Sequence, residues 1–158
     1  MIPEDWTVCE IGDFKPFVTS GSRGWADYYS DRGSPDSSAG QRKAIQLRWY
    51  RAQLHLQLQP LVDKWQGKLG VQLTDWRIKR MRTRWGGCNP EAWRAWFNLE
   101  LAKVSPACLD YIVLHKLVHL IERQHNDRFI ALLDRHLPQW RQQRELLNST
   151  PLGEELWQ

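Results

Sequence analysis

The histidines of one short stretch have the spacing of metal ligands. The stretch runs Y-I-V-L-H-K-L-V-H-L-I-E-R-Q-H from Tyr111 to His125, with His115 and His119 four residues apart. On a helix, side chains at this spacing project from one face, one turn apart, and their nitrogens can reach one zinc ion at about 2.0–2.1 Å. His125 can supply a third nitrogen if the chain folds back after the helix. Three protein ligands with a fourth position open is the arrangement of a catalytic zinc.

The residue after the first histidine does not fit hydrolysis. In the H-E-x-x-H pattern the glutamate is the general base that takes a proton from the attacking water, and Lys116 stands in that position here. An unpaired buried ammonium is costly, so Lys116 is predicted to face a cleft. Glu122, three residues after His119, is a candidate for orienting a metal ligand rather than for replacing the base.

A long helix is predicted upstream of this stretch. Apolar residues recur at steps of three and four, at Leu47, Tyr50, Leu54, Leu58, Leu61 and Trp65. Pro60 predicts a kink or break near Gln59, because proline removes a backbone donor and clashes with the preceding turn. Gly67 and Gly70 are predicted to end the helix.

Two strands are predicted next, as an antiparallel pair. They cover about Val71 to Trp85 and Trp93 to Leu101, with Gly86 to Glu91 as the turn between them. Asn98 on the second strand is predicted to point into a substrate cleft. Arg84, at the end of the first, is a candidate for binding a phosphate or a carboxylate.

Capping signals predict the remaining helices. Ser105-Pro106 is a favourable start for a helix running to about Gln124. Asn126-Asp127 can cap a helix from Arg128 to Leu137, which Pro138 closes, and a last short helix is predicted from Trp140 to Leu147.

Charge is distributed unevenly along the chain. Residues 1–40 have a net charge of −4 and residues 41–158 a net charge of +8, which suggests two segments of different origin and permits a polyanionic partner such as DNA. No long apolar run predicts a membrane span. Three cysteines at wide spacing indicate a reducing compartment, so a cytoplasmic location is expected.

From about residue 42 to 157 the chain resembles the YgjP-like metallopeptidase family of zincin-like predicted hydrolases. The matching motifs are R-M-R-T-R-W-G-G-C, W-F-N-L-E-L, L-D-Y-I-V-L-H-K-L-V-H-L and H-N-D-R-F. The resemblance implies an α+β, zincin-like domain (residues 42–158), with zinc ligands at His115, His119 and His125 and a base at position 116. It also implies an N-terminal β portion with no equivalent here, so the domain is predicted to be truncated.

Residues 1–33 are similar to the opening of a target-recognition domain in a type I restriction-modification specificity subunit. The likeness rests on W-T-V-C-E-I-G-D-F and T-S-G-S-R-G-W-A-D-Y-Y-S-D-R-G. Residues 34–41 are predicted to be a linker, because the stretch from Ser30 to Gly40 contains no apolar residue except Ala39.

Three functional hypotheses remain open from the sequence. The first is a zinc metallohydrolase of the metallopeptidase type, impaired or inactive because of Lys116. The second is a nucleotide pyrophosphatase-like hydrolase, an activity that the family resemblance also implies as possible. The third is an accessory protein that binds DNA or another subunit in a restriction-modification setting.

Overall fold

The computed structural model describes residues 6–7, 19–20, 39–150 and 152. Its elements, in chain order, are β1 (Trp6–Thr7), β2 (Thr19–Ser20), α1 (Ala39–Leu69), β3 (Asp75–Lys79), β4 (Gly86–Asn89), β5 (Arg94–Asn98), a 3-10 helix (Leu99–Lys103), α2 (Pro106–Val118), α3 (Asp127–His136) and α4 (Trp140–Ser149). This confirms the predicted α+β class. The chain divides into two compact units, Met1–Ala52 and Gln53–Gln158.

The first unit contains a two-stranded antiparallel sheet, in which Trp6 pairs with Ser20 and Thr7 with Thr19. It also contains the start of α1, which lies inside the segment 34–41 that the sequence predicts to be a linker. Most of the segment that resembles a target-recognition domain lies outside the described residues.

Helix α1 is continuous through Pro60, so the break predicted near Gln59 is wrong. Proline deprives the carbonyl of the residue four positions earlier of its donor. That residue is Leu56, whose side chain is 67% exposed, so this face of the helix is open to water that can satisfy the carbonyl. The helix ends before Gly70, which has a φ of 66° that suits glycine better than any other residue. Gly67 lies within the helix.

Polar contacts attach α1 to α2 within the second unit. The Asp110 carboxylate accepts a hydrogen bond from the Trp65 indole at 2.7 Å and pairs with the Lys64 ammonium at 2.9 Å. Leu54, Leu58, Val62 and Trp65 on α1 are buried. This helix therefore forms one side of the core behind the histidine helix.

The sheet of the second unit has three strands in the order β3-β5-β4, so the prediction of an antiparallel pair between about Val71 to Trp85 and Trp93 to Leu101 is wrong in its first strand. The antiparallel partner of β5 is β4 (Gly86–Asn89), which lies inside the segment predicted to be a turn. The upstream strand β3 pairs with β5 in parallel. The sequence did not indicate this because parallel pairing depends on contacts between residues that are distant in the chain.

None of the helices in the described part of the chain has the length and apolar character needed to cross a membrane.

Candidate metal site and its cleft

Helix α2 is positioned by local signals at its start and by tertiary contacts at its end. The Ser105 hydroxyl caps it by accepting a hydrogen bond from the Cys108 N–H, and Pro106 occupies the first turn, as predicted. The helix ends at Val118 rather than near Gln124, with His119 as its C-cap. The next residues form tight turns, such as the hydrogen bond from Ile121 N–H to the Val118 carbonyl at 2.9 Å. These turns send the chain back towards His115.

The three histidines meet at one point. The Nε2 atoms of His115 and His125 are 3.1 Å apart. One ring nitrogen from each of His115, His119 and His125 lies within 4.8 Å of the others. The Phe129 ring packs against all three imidazoles, with centroid distances of 5.1, 4.7 and 4.7 Å. A side chain at the start of α3 therefore holds the cluster together.

One histidine is oriented by a backbone contact. His119 Nδ1 lies 3.3 Å from the Glu122 carbonyl oxygen. In the tautomer whose Nδ1–H donates to this carbonyl, the lone pair of Nε2 is free to bind a metal. Metal-binding histidines are usually fixed in this way. The Glu122 carboxylate has a different role, since its Oε1 accepts a hydrogen bond from Gln124 N–H at 3.3 Å. Glu122 thus orients His119 through its main chain.

Burial and neighbouring positive charge keep two of the imidazoles neutral. Desolvation, together with the charge of Lys116, lowers the pKa of His115 to about 2. Desolvation, again with Lys116, lowers the pKa of His119 to about 4, although the hydrogen bonds to the Glu122 and Arg123 main chain oppose this. Neutral imidazole is the form that binds metal, so the donor set suits a metal ion.

Lys116 lines the same cleft, as predicted, and lies against β4. Its Cε is 3.2 Å from the position that a Cβ on Gly86 would occupy. Burial lowers the pKa of Lys116. The interaction with Cys88 raises this pKa, and the positive charge of Arg84 lowers it. Within the described part of the chain no carboxylate pairs with this ammonium. The cation therefore stands uncompensated next to the histidines.

Replacing Gly86 by alanine is expected to destabilise the fold by about 1–3 kcal/mol, the typical cost of overpacking. The added Cβ would lie 2.8 Å from the Trp96 carbonyl oxygen, which belongs to the paired strand and cannot move away. Urea unfolding of the two proteins measures the difference.

The matched control for that substitution is Gly87→Ala. Its added Cβ meets only the Trp96 ring, at an ordinary 3.5 Å. Equal unfolding free energies for the two variants would contradict the close packing of β4.

The cleft around the histidines has a volume of about 880 Å³. Its walls come from the β3–β4 loop and β4 on one side and from α2, α3 and α4 on the other. Among the described residues, the cationic side chains that line it are Arg84, Lys116, Arg123 and Arg144, and none of these lining residues is an aspartate or glutamate. The cleft is therefore electropositive.

Asn98 does not line this cleft, so the prediction that it points into the cleft is wrong. It is fully buried at the end of β5. Its Oδ1 accepts from Met81 N–H at 3.2 Å, and its Nδ2 donates to the carbonyls of Met81 at 2.8 Å and Arg84 at 2.7 Å. Asn98 thus holds the loop that carries Arg84. The main-chain groups of that loop need hydrogen-bond partners, and this draws the amide inward.

We expect Asn98→Ala to lower the free energy of unfolding by about 2–4 kcal/mol, since it removes a buried side chain that is the hydrogen-bond partner of the Met81, Arg84 and Glu100 main chain. Chemical denaturation measures this loss. Asn89→Ala is the control, because Asn89 makes comparable hydrogen bonds, to Glu91 N–H and Ala92 N–H, in an exposed turn. A loss no larger than that of the control would show that Asn98 does not hold the loop.

Arg84 lines the cleft, as the sequence suggested. Sequence reasoning missed Tyr111, Phe129, Trp140 and Arg144, which also line it. The spacing of Trp140 and Arg144, one turn apart on a predicted helix, indicated that they share a helix face. The local sequence did not indicate that this face would lie beside the histidines.

Comparisons with known proteins agree with this geometry. Residues 23–150 match the family described as YgjP-like, metallopeptidase domain. The match begins within residues 1–33, and the resemblance of that segment to a restriction specificity subunit, predicted from the sequence, finds no support in the comparisons. None of the curated proteins compared with the chain matches it.

Among solved structures, the chain is similar to the metallopeptidase zymogen abylysin of Pyrococcus abyssi. The superposition has a TM-score of 0.53 at 16% sequence identity and covers 61% of this chain and 98% of abylysin. At this identity the likeness shows a shared fold.

Proposed function

Because the chain belongs to the YgjP-like metallopeptidase domain family, we propose that it is a zinc-binding domain with little hydrolytic activity. His115, His119 and His125 would hold the ion. Lys116 in the position of the general base would impair the reaction. The observation that carries this proposal is an intact cluster of three histidines next to a lysine that no described carboxylate pairs with.

Zinc suits the donor set. Two nitrogens bound at about 2.0–2.1 Å to a tetrahedral ion are roughly 3.3 Å apart, and the His115 and His125 Nε2 atoms are 3.1 Å apart. Zinc supplies Lewis acidity, polarising a carbonyl and lowering the pKa of a water ligand. The histidines supply neutral nitrogens, and the Glu122 carbonyl fixes the ring of His119.

Lys116 opposes the reaction in two ways. A protonated amine has no lone pair with which to accept a proton, so it cannot act as the base that a carboxylate provides. Its positive charge also stands beside the site of a dication, where it weakens metal binding electrostatically. Neither Glu122 nor another carboxylate of the described residues lines the cleft to take over the role of base.

Metal content tests the proposal. The purified chain, stripped with a chelator and reloaded with zinc, is expected to hold one zinc per chain by elemental analysis. Wild-type protein should show little or no turnover of a quenched fluorogenic peptide mixture. Efficient zinc-dependent hydrolysis by the wild type would contradict the impaired-base proposal, and failure to hold zinc would contradict the metal site.

Hydrolysis of a nucleotide is the second candidate function. Its support is that the described lining of the cleft includes four cationic side chains and no carboxylate, which suits a phosphate chain. Zinc-dependent release of pyrophosphate from uridine triphosphate would favour it over the metallopeptidase-type function.

A further inference from the structure

One face of α4 forms a wall of the cleft. Trp140, Arg144, Leu147 and Asn148 follow each other at helical spacing and all line it. Trp140 and Leu147 are buried at 3% and 2% exposure, whereas Arg144 is exposed. This wall therefore presents a guanidinium above an apolar base.

The apolar base continues towards the histidines. The Tyr111 ring stacks on Trp140 with centroids 6.1 Å apart, and its other neighbour is the His115 ring at 5.6 Å. Phe129 and Leu133 of α3 are buried and line the same space. An apolar group of a ligand placed here would lie directly beside the candidate metal site.

The charge of Arg144 is not neutralised. No hydrogen bond or ion pair of Arg144 occurs in the described part of the chain, whereas the neighbouring Arg141 pairs with Asp134. An unpaired guanidinium over an apolar surface is suited to a carboxylate, which it can bind through two parallel hydrogen bonds.

We infer that Arg144 and the apolar base beside it bind the C-terminus of a peptide. The terminal carboxylate pairs with Arg144, and an apolar last side chain contacts Trp140 and Leu147. The choice of a peptide rests on the proposed metallopeptidase-type function. The apolar base favours this ligand over a phosphate chain, which has no apolar group to place there.

Calorimetric titration of the zinc-treated protein tests the inference with three probes. These are an acetylated alanine-alanine-leucine peptide with a free carboxylate, its C-terminal amide, and the free acid ending in aspartate. The leucine acid is expected to bind about tenfold or more tightly than the amide, because it alone forms the charge-assisted pair. It should also bind about tenfold more tightly than the aspartate peptide, which cannot bury an apolar side chain.

Arg144→Gln should reduce the preference for acid over amide to less than about twofold. Arg135→Gln is the matched control. It removes the same charge from an exposed position of α3 that does not line the cleft, and it should keep the full preference. Circular dichroism of both variants checks that they are folded.

The inference fails if wild-type protein binds the acid and the amide equally, or if the preference survives in Arg144→Gln. It also fails if the aspartate peptide binds as tightly as the leucine peptide. Tighter binding of uridine triphosphate than of the leucine acid, lost in Arg144→Gln, would assign the site to phosphate instead. The zinc content of the same samples separates the two proposals: a preference for the acid without bound zinc supports the carboxylate site and contradicts the metal site.

Discussion

Replacing Lys116 by glutamate is expected to raise zinc-dependent peptide hydrolysis by at least about 100-fold, the lower end of what a positioned general base contributes. The substitution places a carboxylate after the first histidine, where the H-E-x-x-H pattern has its base. It also replaces a positive charge beside a dication by a negative one, so zinc affinity should rise about tenfold or more. Initial rates on a fluorogenic peptide mixture and a zinc titration measure the two effects.

Lys116→Gln separates the two contributions. Glutamine removes the charge but cannot accept a proton as a carboxylate does, so this variant should gain zinc affinity without gaining activity. Both side chains are shorter than lysine, so neither crowds Gly86, which the Lys116 Cε approaches closely. If glutamate brings neither more zinc nor faster hydrolysis, the lost-base explanation is wrong.

Replacing His119 by alanine is expected to lower zinc affinity by more than about 100-fold. Loss of a group that merely orients a ligand already costs about 10–100-fold, and His119 is itself one of the three proposed ligands. The Glu122 carbonyl would lose the ring that it orients. Competition with a chromophoric zinc chelator measures the affinity.

The control for this variant is His55→Ala. His55 is exposed and stacks on Trp76, away from the cleft, so its loss should leave zinc affinity unchanged. Equal affinities in the wild type and His119→Ala would exclude His119 as a ligand. Equal losses in both variants would indicate nonspecific binding to surface histidines.

The histidine helix shows how much the local sequence determines. The Ser105 cap, the proline that follows it and the Asn126 cap of α3 are in place, because capping depends on residues within one turn of each other. The apolar periodicity of α1 and the four-residue spacing of His115 and His119 are local in the same sense. Together they were sufficient to predict the helices and the candidate metal cluster.

Pairing and side-chain direction between distant segments could not be predicted in this way. The parallel pairing of β3 with β5 and the inward turn of the Asn98 amide depend on segments that the local pattern does not relate. The end of α2 at Val118 could not be predicted locally either, because the chain turns back there to bring His125 to His115.

The sequence by itself therefore determined the α+β class, the starts of α2, α3 and α4, the three histidines and the lysine that follows the first of them. The tertiary structure decided that these histidines share a cleft whose described lining has no carboxylate, and that Arg144 and an apolar base stand beside them. The physical reason is that hydrogen-bonded caps and helical periodicity act over a few residues. The charge and shape of a cleft are instead sums over side chains from β4, α2, α3 and α4 that only packing brings together.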